Sequence, residues 1–193
     1  MEVDEAIRSR SSVKKFLDRT VSRELIEECL NLAVWAPNHR LTEPWRFCVV
    51  TGSGRERLAD AVSVQATPAA PRTAQLVAAV KASIAGDSIR RKLMSAPAVI
   101  VVYSLHGSDE TTTQENLAAT AAAVQNLLLG AHQLGLATIW RTADYFSGRG
   151  ARSFLQIPPE ADFVAAIYLG YSDQRETPRK RTPAEQCTAW FDE

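Results

Sequence analysis

Apolar residues along the chain alternate between two spacings. Asp4 to Arg10 reads as a short helix with Val3, Ala6 and Ile7 on one face. From Ser22 onward, Leu25, Ile26, Cys29, Leu30 and Ala33 recur every three or four positions and form the stripe of a second helix. Ser22 is a cap residue, and Glu24, Glu27 and Glu28 put negative charge near the positive helix end. Pro37 stops this helix. Trp45 to Thr51 is rich in aromatic and β-branched residues and reads as a strand. Ser53-Gly-Arg-Glu56 has the form of a capping box opening another helix.

Gln65 to Thr73, rich in Ala, Pro and Thr, reads as a loop, and Thr73 to Ser95 as helix with a break near Gly86. Ala98 to Ser104 is a nearly continuous apolar run, the mark of a strand covered on both faces. Thr112-Thr-Gln-Glu115 is a second capping-box pattern, opening the longest helix, which ends near Gly135. Its stripe is Leu117, Ala121, Val124, Leu128 and Ala131. Flanking alanines and leucines make that helix apolar almost all round, which suits a central position or a dimer interface. Ala137 to Arg141 and Phe163 to Leu169 complete four strands. Short strands alternating with helices predict helices around one sheet, in an α/β or α+β layer. Arg175 to Glu193 is polar, carries Trp190 and Phe191, and suits an arm packed on a partner subunit. We find no internal repeat or long linker, so residues 1–193 are expected to form one domain.

Lys plus Arg and Asp plus Glu number 22 each, so the basic excess expected of a nucleic-acid binder is missing. The balance favours a small-molecule partner. Three scattered cysteines, Cys29, Cys48 and Cys187, match no metal spacing and suit a reducing cytoplasm. The acidic start (Glu2, Asp4, Glu5) is unlike a secretory signal, and no apolar run reaches membrane-spanning length. A cytoplasmic protein is the expectation.

Gly52-Ser-Gly54 follows a strand and precedes a helix, as a dinucleotide fingerprint would, but Arg57 stands where the third glycine should be. His39, His106 and His132 lack metal-ligand spacing. Two segments carry more chemistry. In Arg8-Ser-Arg-Ser-Ser-Val-Lys-Lys-Phe16, Arg10 can fork onto a phosphate, Ser11 and Ser12 can donate hydroxyl hydrogen bonds, and Lys14 adds a point charge. A solvated basic stretch at a helix end accounts for the same composition. Trp35-Ala-Pro-Asn-His39-Arg-Leu-Thr-Glu-Pro-Trp45 joins helix to strand with two tryptophans and two prolines, as a binding loop or a structural turn would.

In their order and separation these segments resemble the start of the nitroreductase family: Arg10-Ser-Ser-Val-Lys-Lys-Phe16, Ala36-Pro37-Asn-His39 and Pro44-Trp45-Arg-Phe47. Ser95-Ala-Pro97, Ala123-Val-Gln-Asn-Leu-Leu-Leu129, Gly135-Leu-Ala-Thr-Ile-Trp140-Arg-Thr142 and Leu169-Gly170-Tyr171 continue that order. The forms of the loop and of Trp140-Arg-Thr142 are most similar to the compact bacterial branch named for NAD(P)H nitroreduction. The resemblance implies an α+β fold with a central, mainly antiparallel sheet flanked by helices, in an intertwined homodimer with FMN at the interface. It implies that Arg10, Ser11, Ser12 and Lys14 hold the FMN phosphate and ribityl chain, and that Trp140, Arg141 and Thr142 line the flavin. His39, with Trp35 nearby, would approach from the partner subunit, and the Arg179, Lys180, Arg181 cluster would reach the phosphate. The implied activity is hydride transfer from NAD(P)H through flavin to nitroaromatics, quinones or similar electron-poor acceptors. Reductive dehalogenation, fragmentation of reduced flavin and non-catalytic flavin binding are alternatives on related folds. Ser11 stands where many relatives carry a second arginine.

Overall fold

The computed structural model describes residues 1–63, 85–174 and 179–191. Among these, four strands make one antiparallel sheet: β1 (Trp45–Thr51), β2 (Ala98–Leu105), β3 (Ala137–Arg141) and β4 (Ala161–Gly170), in the order β1-β2-β4-β3. β1 and β3 match their sequence-based bounds. β2 runs one residue further than expected, and β4 begins earlier, because Ala161 and Asp162 pair with Leu105 and Ser104.

The continuous apolar run of β2 follows from its surroundings. It is paired on both edges and covered on both faces, and Ala98 through Tyr103 have no exposed surface. Period-2 alternation then divides the core. Ile100, Val102, Ala165, Ile167 and Leu169 face one way, with Val124, Leu127 and Leu128. Val99, Val101, Tyr103, Ala166 and Tyr168 face the other, with Leu58, Val62, Leu93 and Phe146.

α1 (Val3–Ser9) buries only Ala6; Val3 and Ile7 remain exposed. α2 (Arg23–Ala33) starts as its sequence predicts, with Ser22 Oγ accepting the Leu25 N–H at 3.3 Å. Ile26, Cys29 and Ala33 of its stripe are buried. α3 (Gly54–Ser63) follows a turn at Gly52, and residues 85–93 form α4, with Gly86 inside it. The expected loop at 65–73, and most of the helix expected from 73 onward, lie outside the described residues.

α5 (Glu110–Gln133) departs from expectation in two ways. Its cap is Asp109, whose carboxylate accepts the Thr112 N–H at 2.8 Å, so the Thr112–Glu115 capping-box reading was wrong. An anionic acceptor at the positive helix end outcompetes a hydroxyl one turn later. Its inner face is also shifted. Asn116 and Thr120 are buried while Leu117 is 45% exposed, because Asn116 spends its amide on the Leu105 carbonyl and accepts from the Thr42 hydroxyl. At its other end, Leu136 N–H returns to Ala131 O and Gly135 N–H to His132 O, with Gly135 at φ +74°. This left-handed cap turns the chain directly into β3.

α6 (Arg149–Phe154) packs against α3. Residues 179–191 include a 3-10 turn, Ala184–Cys187, and leave Trp190 and Phe191 exposed.

Candidate functional site

The basic segment after α1 does not remain a free loop. Ser12 bridges in parallel to Thr138 of β3, and Val13 N–H bonds Thr138 O at 2.9 Å. Gln174 Oε1 then accepts both Lys14 N–H (3.2 Å) and Lys15 N–H (3.0 Å), while Ser172 Oγ donates to Lys15 O at 2.8 Å. The segment is thus held between the edge of β3 and the chain leaving β4. A cavity of about 180 Å³ opens there, lined among others by Arg10, Ser11, His132, Gly135, Thr138 and Gln174.

Positive charge gathers at this corner. Burial, then the neighbouring Arg179 and Arg181 guanidiniums, lower the pKa of Arg10. Arg179 Nη2 donates to Ser12 O at 3.4 Å, which ties residues near 180 to the segment near 10. Among the described residues no carboxylate forms an ion pair with Arg10, Arg179 or Arg181. Like charges held together without a counter-ion repel, so the arrangement favours an anion, and forked guanidiniums favour phosphate or carboxylate oxygens. Lys14, Arg179, Lys180 and Arg181 are exposed, and neither they nor Ser12 line the cavity itself, which takes Arg10 and Ser11 from the basic stretches.

The far end of β3 splits its candidates between two faces. Trp140 packs with the α5 side of the sheet, while Arg141 lies 5.1 Å over the Tyr168 ring on the other. Arg141 Nε is buried and has no hydrogen-bond partner, an orphaned donor at a strand end. Burial pushes the Tyr145 and Tyr168 hydroxyls up, so both stay neutral beside it. Thr142 is exposed.

The Trp35–Trp45 loop lies elsewhere in the single chain. Pro44 and Trp45 are buried and anchor it, whereas Trp35 is 84% exposed over a groove it shares with Met1, Val3, Leu32 and Leu129. His39 Nδ1 meets Glu115 Oε2 at 2.8 Å. Arg40, Leu41 and Glu43 all have positive φ, an unusual concentration of left-handed non-glycine backbone. One chain therefore brings together Arg10, Ser11, Ser12, Arg179, Arg181 and β3, and leaves Trp35 and His39 apart from them. Sequence reasoning missed Gln174, Ser172 and Glu115. Nothing in the local pattern marks the first two, and the capping-box pattern over Thr112–Glu115 disguises the third.

Other chemistry is sparse. Burial raises the Cys29 and Cys48 thiols to about 11, so neither is a ready nucleophile. Among the described residues no His, Cys, Asp and Glu group could hold a metal ion, and no helix is long and apolar enough to cross a membrane.

The family model for the nitroreductase family matches residues 7–171, spanning the basic segment, the loop, β3 and the end of β4. The chain belongs to the nitroreductase family. Family members similar to it include YfhC of Bacillus subtilis (strain 168), whose name gives NAD(P)H nitroreductase as a provisional assignment. That protein is 28% identical over 178 residues, covering 92% of this chain and 88% of its own. A nitroreductase-like family protein from Bacillus cereus superposes with a TM-score of 0.86 at 28% identity, covering 100% of this chain and 97% of that one. A nitroreductase-type protein from Desulfovibrio desulfuricans, solved in complex with FMN, superposes with a TM-score of 0.68 at 26% identity, covering 98% and 97%. The fold is the nitroreductase-like α+β fold, with an antiparallel sheet between helical layers.

Proposed function

We propose that the chain is an FMN-dependent oxidoreductase that moves hydride from NAD(P)H to small electron-poor acceptors such as nitroaromatics or quinones, working as a homodimer. Family membership and the FMN-complexed neighbour support the flavin. The observation that carries the reading is the cationic corner made by Arg10, Arg179 and Arg181 beside Ser11 and Ser12, which no carboxylate among the described residues ion-pairs. A phosphate monoester needs such a donor set: guanidinium forks, hydroxyls and no competing carboxylate.

In this reading Arg10, Arg179 and Arg181 neutralise the FMN phosphate, and the Ser11 and Ser12 hydroxyls orient it. Lys14 adds charge from the rim. Bound FMN supplies the hydride chemistry, so the chain needs placement and electrostatics rather than a nucleophile. The orphaned Nε of Arg141 fits a group awaiting an acceptor, and its charge stabilises negative charge developing nearby. Trp140 precedes it on β3, and Thr142 follows just beyond the end of the strand. The exposed Trp35 and His39 serve across the dimer interface, Trp35 offering a planar surface to an aromatic acceptor. Free cysteines fit a reducing cytoplasm.

The visible absorption spectrum of the purified protein, before and after anaerobic NADPH, tests the proposal. A flavin spectrum that bleaches, then returns on adding a nitroaromatic with stoichiometric product, supports it. A protein that neither carries nor takes up FMN refutes it. Reduction by NADPH without transfer to nitroaromatics or quinones refutes the acceptor assignment.

A further inference from the structure

The loop carrying His39 is strained, and two adjacent residues of α5 clamp it. Arg40, Leu41 and Glu43 adopt φ values of 54°, 52° and 43°, each disfavoured for a side chain with a Cβ. Such backbone persists only where its surroundings over-determine it. Three contacts do so. Asn38 Oδ1 accepts the Glu43 N–H at 3.0 Å across the turn, Thr42 Oγ1 donates to Asn116 Oδ1 at 2.8 Å, and His39 Nδ1 meets Glu115 Oε2 at 2.8 Å. Asn116 is buried and doubly engaged, since its amide also donates to Leu105 O at 3.1 Å, so it is a rigid anchor. Glu115, one residue earlier, is partly exposed and serves the loop through His39.

The pairing also fixes which ring nitrogen carries hydrogen. A carboxylate only accepts, so Nδ1 carries the hydrogen and, in the neutral ring, Nε2 is the nitrogen left with a lone pair. We propose that Glu115 is a positioning residue for His39: it sets the ring's tautomer and orientation so that Nε2 is presented to the ligand site. The role of His39 rests on the functional reading above; the hold of Glu115 on the ring does not. An outer partner that orients a functional imidazole is an economical device, because the ring alone would rotate freely on an exposed loop.

The test uses the full-length, flavin-loaded protein with Glu115→Ala, Glu115→Gln, His39→Ala and the double variant. Glu115→Ala is expected to keep its flavin while kcat/KM falls about tenfold, the scale of a mispositioned functional group. Glu115→Gln, whose amide oxygen still accepts from Nδ1–H, is expected to recover most of that loss. In the His39→Ala background, removing Glu115 is expected to cost nothing further, because the residue acts only through the ring. Nitrogen-15 NMR of the ring gives a signature that a purely structural role would not move. The parent holds the Nδ1–H tautomer, and Glu115→Ala shifts it toward Nε2–H. Unchanged kinetics in flavin-loaded Glu115→Ala, an equal loss with or without His39, or an unmoved tautomer would each overturn the proposal. Failure of the parent to take up FMN would sink the functional reading instead, and the tautomer measurement would still decide whether Glu115 holds the ring.

Discussion

Gly150, near the start of α6, lies where no side chain fits. A Cβ built there would collide with the Ala61 carbonyl oxygen of α3, sit 2.8 Å from its carbon and stand 3.4 Å from Val62 Cα. Carbon atoms pack comfortably at about 3.5–4.0 Å, so Gly150→Ala must part the two helices by roughly an ångström. The obstacle is backbone, so no rotamer change relieves it. Parting them loosens Leu58, Ala59, Val62 and Ala151, all buried in the same cluster. Overpacking of this kind costs about 1–3 kcal/mol, and a backbone obstacle belongs at the upper end. Helix propensity works the other way, favouring alanine by about 1 kcal/mol. The net expectation is a loss of about 2 kcal/mol. With an m-value of about 2 kcal/mol/M, that lowers the urea midpoint by about 1 M. The thermal midpoint should fall by roughly 4–8 °C. Urea unfolding followed by far-UV circular dichroism reads the change. The two effects have opposite signs, so the experiment decides between them. A variant as stable as the parent, or more so, would show that the helices part without cost and that the packing argument is wrong.

Three further expectations concern the site and its supporting helix. Arg10→Ala should weaken FMN binding at least tenfold, since a charge-assisted bond contributes about 1.5–3 kcal/mol; fluorescence titration measures it, and unaltered affinity removes Arg10 from the phosphate site. Arg141→Ala should retain FMN yet turn over more slowly, and stopped-flow reduction at wild-type rate would exclude it from the mechanism. Asp109's carboxyl is held below the ordinary carboxylate range by the Thr112 N–H and hydroxyl. Its stabilising contribution is therefore present above the ordinary carboxylate pKa and lost as pH falls through the depressed value. Asp109→Ala should be less stable than the parent at neutral pH and converge with it in strong acid, which paired urea titrations check.

What the sequence made legible was decided by how local each cause is. β1 and β3 were readable because strand composition and turn residues sit within a few positions of each boundary. The run through β2 announced burial on both faces, and the helical layers on either side of the sheet supplied both covers. The Ser22 cap was likewise local. Errors arose where a distant partner decided. The pattern at Thr112–Glu115 satisfied a capping rule, but Asp109 was the better acceptor and Glu115 was taken by a histidine 76 residues away. The inner face of α5 was misplaced because two polar residues, Asn116 and Thr120, are inside it. The basic segment of the candidate site stood out in composition, which a solvated stretch explains as well, but its docking on Thr138 and Gln174 could not be read, since no periodicity links position 12 to position 138.

The contact between Arg179 and Ser12 joins positions 167 residues apart. An anion gripped there by both stretches acts as a reversible staple that closes a ring of nearly the whole chain. Closing so large a ring removes more freedom from the unfolded chain than closing a short one, though the gain grows only logarithmically. Under the proposed assignment of the FMN phosphate to this grip, occupancy also shifts the folding balance by mass action and couples cofactor supply to chain lifetime. During synthesis the order is fixed as well: the half of the grip at position 12 is made first and waits for the 167 positions that separate it from Arg179.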